Sequence, residues 1–444
     1  MEKNISHQAA GFRPTKKGKG LCPPYRIITF LGLAPAIGFS ASCRNKLVGG
    51  KTGGVCVVPE MHTSELRLAG IDATLLVPKA SIKKLPKDHF YSFIESPIPL
   101  NYSVEQLLQE SDLLDEVSKK LKGYDIIKVN HGLAASIFLA LKRRGDINPN
   151  TVIIYGDINW GRNIVNVREL SPVRDSIEQE ILLTADKIVV HTNAEKELIK
   201  KNYSDVAGPE VIDKKIVRIP LGINTEEINF KVRQRCRKRL RNSYLHNLCA
   251  TTNFFMLARL DVLKNQKLAI IAFCKALSEN PTLKISLSLI GDAGGGASNK
   301  AYCDEIYKYV EGQPEYIKSR IKFHGVRPTI HALAVGDVFL GPSFSEMWYL
   351  AANEAMACAM PTILSNTPAM REIYGCKNCF VDPHNVDSIK KAIIKMATDD
   401  KFRQKVGEYN YKHTKNYTWK NSVKCLKEVF EEAILTKNFT YSTI

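Results

Sequence analysis

Apolar residues fall along this chain in short runs bounded by polar or small residues, with longer stretches of helical spacing between them. The runs of the first half are Arg26–Gly32, Ala73–Pro78, Asp125–Val129, Thr151–Tyr155, Lys187–Thr192 and Ile216–Pro220. Those of the second half are Asn253–Leu257, Lys284–Gly291, Ile321–His324, Asp337–Leu340, Thr362–Ser365 and Cys379–Asp382. Runs this short, apolar on both faces, predict buried strands. Between them, Asp175–Thr184, Asn265–Leu277 and Val386–Thr398 predict helices; in the last, Val386, Ile389, Ile393 and Ala397 share one face. Trp419 to Leu435 predicts a final amphipathic helix with Val423, Leu426, Phe430 and Ile434 inward. Strand–helix alternation argues for an α/β protein with parallel sheets covered on both faces. No period of roughly 20 to 50 residues stands out, which excludes a solenoid.

The alternation pauses between Asn224 and Thr252, where Lys231, Arg233, Arg235, Arg237, Lys238, Arg239 and Arg241 cluster. This divides the chain into a basic extension (1–22), a first domain (23–228), a basic inter-domain segment (229–252), a second domain (253–415) and a C-terminal helix (416–444) that returns to the first domain. The basic run reads either as a solvated helix face or as a patch that touches an anionic membrane or acidic polymer. Near the N-terminus, Lys3, Arg13, Lys16, Lys17 and Lys19 precede the apolar stretch Ile27–Phe39, and Ser40, Ala41 and Ser42 precede Cys43. That resembles a signal peptide. Pro35 and Gly38 interrupt the stretch, however, and the domain that follows needs a first strand, so Arg26–Gly32 is read as that strand.

Composition narrows the class. Of 444 residues, 44% are hydrophobic and 24% charged, which excludes a mainly disordered chain. No apolar run approaches the roughly 18 residues of a transmembrane helix. The net charge of +18 favours anionic partners: phosphate groups, anionic lipid or nucleic acid. Nucleic acid is the least expected of these, because no aromatic-interleaved basic motif is present. Eleven scattered Cys, an odd number, fit a reducing compartment. The expected location is the cytoplasm, with peripheral contact at a membrane surface.

The most informative stretch runs from Gly341-Pro-Ser-Phe-Ser-Glu346-Met-Trp-Tyr-Leu-Ala-Ala-Asn-Glu354 through Ala-Met-Ala-Cys-Ala-Met-Pro361. A strand leads into a small-residue loop, then a helix, with Glu346 expected at the loop-to-helix junction. Eight helical residues span about 12 Å, so Glu346 and Glu354 can serve two ends of one ligand. The helix N-terminus suits a pyrophosphate. The plainer alternative has Glu346 capping the helix and Glu354 on the surface.

Pro342-Ser, Glu346, Glu354-Ala-Met-Ala and Pro361 resemble the Glu-x7-Glu signature of retaining glycosyltransferases with the GT-B fold, family 4 type. Ala258-Arg-Leu-Asp-Val-Leu-Lys-Asn265 resembles the motif whose Arg and Lys, here Arg259 and Lys264, bind the donor diphosphate. Leu289-Ile-Gly-Asp292, Phe323-His-Gly-Val326 and Ala369-Met-Arg-Glu-Ile373 follow in family order, as do Ala185–Val190 and Ile219–Ile223. Each motif is short, but their shared order covers about 350 residues. The resemblance implies two Rossmann-like domains facing across a cleft, an acceptor-binding first and a donor-binding second. It implies sugar transfer from a nucleotide-sugar to a glycan or lipid-linked acceptor, with Val326 in the donor site and Glu354 on the ribose. The nucleotide-sugar is a co-substrate, and neither a metal nor another cofactor is expected.

Gly49-Gly-Lys-Thr-Gly-Gly54 lacks the Walker spacing and resembles the Lys-Thr-Gly-Gly loop of glycogen and starch synthases. It implies donor contacts from Lys51, Gly53 and Gly54 across the cleft, or else a flexible turn. It also keeps open an α-glucan synthase. Asp157, after the fourth run, stands where related enzymes often carry His; it either binds a hydroxyl and helps deprotonate an acceptor, or caps a loop. His131 reads as structural, and Cys376-x-x-Cys379 as a loop before a strand. Met347-Trp348-Tyr349 is bulky where the family is small, and Ala359 stands where Gly is common. These departures, with the charge, keep a catalytically silent GT-B-like binding protein as an alternative.

Overall fold

A computed structural model of the protein describes residues 26–30, 54–78, 91–96, 102–130, 132–156, 160–164, 169–241, 252–293 and 297–441. Among the described residues, thirteen strands are arranged in two sheets, all parallel. The first sheet contains β1 (Arg26–Phe30), β2 (Asp72–Pro78), β3 (Tyr91–Ile94), β4 (Ile126–Val129), β5 (Val152–Gly156), β6 (Lys187–Val190) and β7 (Ile216–Arg218). Its order is β3-β2-β1-β4-β5-β6-β7. The second sheet contains β8 (Thr252–Leu257), β9 (Ile285–Ile290), β10 (Ile321–Phe323), β11 (Val338–Gly341), β12 (Thr362–Ser365) and β13 (Cys379–Val381), in the order β10-β9-β8-β11-β12-β13.

The stretch that mimics a signal peptide therefore supplies a central strand. Ile27 pairs with Ala73 on one side and Ile126 on the other, and is fully buried. Runs such as Ile126–Val129, Ile285–Ile290 and Thr362–Ser365 are buried throughout, as strands covered on both faces must be. β3 is the strand the hydrophobic pattern does not announce.

The helices that matter for the site are α1 (Gly54–Leu68), α2 (Asn193–Asn202), α3 (Phe230–Arg241), α4 (Gln266–Glu279), α5 (Thr329–Val335), α6 (Leu350–Ala357), α7 (Pro368–Tyr374) and α8 (Trp419–Tyr441). α8 returns to the first half, where Val423, Leu426, Phe430 and Ala433 share a core with Ile27, Leu66, Ile126 and Val152. Among the described residues, no helix is long and apolar enough to cross a membrane.

The basic segment is split by function. On α3, Arg233 is buried and donates to the Leu333 and Gly336 carbonyls at 2.8 and 2.7 Å. Arg237 donates to Gly336 O at 3.1 Å and pairs with Asp337 at 2.7 Å. These are the open carbonyls at the end of α5, which attract cations. Lys231, Arg235, Lys238 and Arg239 remain exposed on the other face of α3.

Candidate active site

Ligand sites in open parallel sheets lie beyond the carboxyl ends of the strands, and there the second half gathers its charged residues. β8 and β9 stay zipped past their ends: Ala258 N–H donates to Ile290 O at 3.1 Å and Leu260 N–H to Asp292 O at 2.8 Å. The approach is so close that a Cβ on Gly291, whose φ is +142°, would lie 1.9 Å from Ala258 O. The result is a cavity lined by Arg259, Gly291, Asp292, Val326 and Arg327. Arg259 and Val326, predicted from separate motifs, meet there. Arg327 is an addition, a second cation that no motif singled out.

Lys264 is placed by a tight turn. The buried Asp261 carboxylate accepts the Leu263 N–H at 2.9 Å and starts a single 3₁₀ turn, Val262–Lys264. Asn265 closes it with φ 58°, a left-handed conformation that Asn tolerates. Its side-chain amide donates to Pro342 O at 2.9 Å and Pro383 O at 2.8 Å, tying the turn to the loops after β11 and β13. Gln266 holds the other side, donating to Arg259 O at 2.6 Å. Asp261, Asn265 and Gln266 thus orient the two cations. Asp261 and Asn265 fall inside the motif quoted for Arg259 and Lys264, which gives them no role, and Gln266 directly follows it.

The loop after β11 brings the acid to the base. Phe344 N–H donates to Leu263 O at 2.9 Å, and Glu346 forms an ion pair with Lys264. Their side chains are 7% and 18% exposed. Lys264 also lies over the Tyr349 ring, 4.6 Å from its centroid. Tyr349 is pinned in turn: the Tyr374 hydroxyl accepts from its N–H at 3.1 Å and donates to its carbonyl at 2.9 Å. Burial and the Glu346 charge push the Tyr349 phenol well above its usual range, so it stays neutral.

Two expectations need correction. Helix α6 begins at Leu350, four residues beyond Glu346, so Glu346 is in an irregular loop and does not cap the helix. The helical spacing between Glu346 and Glu354 does not apply, because residues 346–349 are not helical. Glu354 is buried on α6 and not on the surface. The physical reason is the bulky triplet. Met347, Trp348 and Tyr349 are each buried. Trp348 meets His191 of the first half edge-on, centroids 6.2 Å apart, and Tyr417 at 5.1 Å.

Gly54 is the first residue of α1. Lys51, Gly53, Asp157 and His131 lie outside the described residues. Cys376 and Cys379 are free thiols, and burial pushes Cys379 up to about 11. Among the described residues, no group of three or more His, Cys, Asp or Glu side chains could hold a metal ion.

Comparison with known proteins agrees with this geometry half by half. Residues 52–227 match the family model Glycosyltransferase Family 4, and residues 251–413 match Glycosyl transferases group 1. The chain is a family 4 glycosyltransferase with the GT-B fold. A D-inositol 3-phosphate glycosyltransferase of Corynebacterium jeikeium is 24% identical over 263 residues, 57% of this chain and 59% of that protein. The match thus spans less than two thirds of that relative. Among solved structures, sucrose-phosphate synthase of Thermosynechococcus elongatus superposes with a TM-score of 0.69 at 19% identity, covering 93% of this chain and 100% of that one. The HepE protein of Anabaena, solved with UDP and glucose, gives 0.67 at 14% identity, covering 92% and 100%. In this glycosyltransferase the group 1 match contains Arg259, Lys264, Val326, Glu346 and Glu354, and lies wholly within the second half.

Proposed function

We propose that this glycosyltransferase moves a sugar, with retention of anomeric configuration, from a nucleotide-sugar to an acceptor held by its first half. The observation that carries the reading is the Lys264–Glu346 ion pair at the carboxyl edge of the second sheet, on a turn that Gln266 ties to the Arg259 carbonyl. Arg259 offers a planar fork to phosphate oxygens and Lys264 a point charge. Together they stabilise the negative charge that develops on the departing nucleoside diphosphate. Glu346 accepts hydrogen bonds from sugar hydroxyls, Glu354 holds the ribose, and Val326 contacts the donor. Lys51, Gly53 and Gly54 approach the donor from across the cleft, and Asp157 serves the acceptor hydroxyl.

UDP and glucose in HepE support a nucleotide-sugar donor. The C. jeikeium relative is named for a phosphorylated inositol. An acceptor panel therefore includes inositol phosphate beside glycan and lipid-linked acceptors.

The test is binding and hydrolysis of UDP-, GDP- and ADP-sugars by wild type, Glu346→Ala and Arg259→Ala. One donor should bind and be slowly hydrolysed, with both variants impaired in turnover. ADP-glucose as that donor would shift the reading to an α-glucan synthase. Folded wild-type protein that binds none of them would sink the proposed site.

A further inference from the structure

The two halves are joined by the chain at one place. Ile223 N–H donates to Tyr417 O at 3.0 Å where the chain crosses over and back. A Cβ on Gly222 would lie 2.1 Å from the Trp419 nitrogen, so these crossings are packed tightly. Beside them, one short segment of the first half receives two side chains of the second. β6 ends at Val190, and α2 begins at Asn193. Thr192 accepts the Glu195 N–H at 3.0 Å, and Glu195 accepts the His191 N–H at 3.0 Å, which makes the first turn of α2 rigid. The N–H groups of Asn193 and Ala194 donate instead to Glu372 on α7, at 2.9 and 3.0 Å, one to each carboxylate oxygen. Arg218, the last residue of β7, pairs with the same carboxylate at 2.9 Å. A carboxylate at a helix N-terminus is favoured by the dipole as well as by the N–H groups. The second visitor is Trp348, whose ring lies against His191.

We infer that Glu372 is a positioning residue: it clasps the second half to the start of α2, and Trp348 passes that placement to the loop carrying Glu346. The inference rests on the proposed function for its kinetic consequence only. Arg259 and Lys264, which meet the diphosphate, and Glu354, which meets the ribose, all belong to the second half, so binding of the free nucleotide does not need the clasp, whereas the contacts of Lys51, Gly53 and Gly54 with the complete donor do. Transfer does, because the acceptor must meet the donor from the other half at a fixed angle. Trp348 stands two residues from Glu346, and a small residue there would reach neither His191 nor Tyr417. The family departure is thereby given a use.

The test compares wild type with Glu372→Ala, Glu372→Gln and Trp348→Ala by amide hydrogen exchange without ligand. Glu372→Ala should speed exchange at Asn193 and Ala194, and also in residues 345–349. Trp348→Ala should speed exchange in residues 345–349 while Asn193 and Ala194 stay protected by Glu372. Glu372→Gln, which keeps one acceptor oxygen but loses the charge facing Arg218, should fall between wild type and Glu372→Ala. Small-angle scattering of Glu372→Ala should show a larger or broader separation of the halves. With the donor and acceptor that the panel selects, transfer by Glu372→Ala should drop about tenfold. Its affinity for UDP, GDP or ADP, whichever wild type binds, should stay within twofold. Unchanged exchange in residues 345–349, or equal losses of nucleotide affinity and transfer, would overturn the inference. If wild type binds no nucleotide-sugar, the proposed function falls, while the exchange and scattering arms still decide the clasp.

Discussion

The Lys264 ammonium is bonded to the Glu346 carboxylate, and both are largely shielded from water. Under the proposed function, a nucleoside diphosphate competes with Glu346 for that ammonium, whereas a bound sugar makes use of the carboxylate. The two substitutions should therefore separate. Glu346→Gln keeps the shape but releases Lys264, so the free diphosphate should bind as well as to wild type or up to about tenfold tighter. Turnover of the nucleotide-sugar should fall about tenfold to hundredfold, the range for a hydrogen bond to a charged group. Lys264→Ala should weaken diphosphate binding about a hundredfold, with an uncompensated carboxylate left near the phosphates. Calorimetry with UDP and GDP beside a hydrolysis assay reads both effects. Equal losses of diphosphate affinity in the two variants would contradict this division of roles.

Ala359 and Asn265 share nearly the same positive φ, 57° and 58°, yet should respond oppositely to glycine. An Ala at positive φ is strained by roughly 1–2 kcal/mol, part of which glycine returns as unfolded-chain entropy. Ala359→Gly should therefore stabilise by about 0.5–1 kcal/mol, raising the thermal midpoint by about 1–4 °C. Asn265→Gly relieves little strain and removes the two bonds to Pro342 and Pro383. It should cost about 1–3 kcal/mol and loosen the turn that carries Lys264. Differential scanning calorimetry of the two variants gives the signs directly.

The basic run on α3 contains two kinds of arginine. Arg233 satisfies two carbonyls at the end of α5 from a buried position. Arg233→Met keeps the stem but leaves those carbonyls open, and should destabilise by about 2–4 kcal/mol. Arg235→Gln, on the exposed face, should change stability by less than about 0.5 kcal/mol. Urea unfolding of each variant checks the contrast. Equal effects would mean that α3 is held by something other than these bonds.

Strand positions were legible because a strand covered on both faces must be apolar along its whole length, and runs such as Ile285–Ile290 have few other uses. β3 was not, since Tyr91-Ser-Phe-Ile is short and sits at the sheet edge. Arg259, Lys264 and Glu346 were legible only as parts of an ordered set of motifs; the 82-residue separation of Lys264 and Glu346 carries no local signal. The start of α6 was misjudged because local spacing continues a helix back to Glu346. What keeps residues 346–349 out of the helix is the packing of Trp348 against His191 and Tyr417 and the grip of Tyr374 on Tyr349, all tertiary. Glu372 was noticed as part of a motif, but its partners at Asn193, Ala194 and Arg218 exist only once the halves have docked.

His324 gives the second half a pH dependence of predictable sign. It follows β10, two residues before Val326, with its Nε2 3.2 Å from the Ser288 hydroxyl. Burial lowers its pKa from the ordinary 6.5, and the charges of Arg327 and Lys322 lower it further. The unfolded chain therefore takes up this proton more readily than the folded one. The stability it contributes is fully present above 6.5 and is lost as pH falls from there toward the lower folded value. The thermal midpoint should drop between about pH 7.5 and about pH 5.5. His324→Gln, which keeps a polar atom facing Ser288 but cannot titrate, should flatten that part of the profile. Nucleotide affinity in wild type should not rise on acidification through this group, since the cation formed is disfavoured where it stands. An unaltered profile in His324→Gln would assign the pH dependence to other groups.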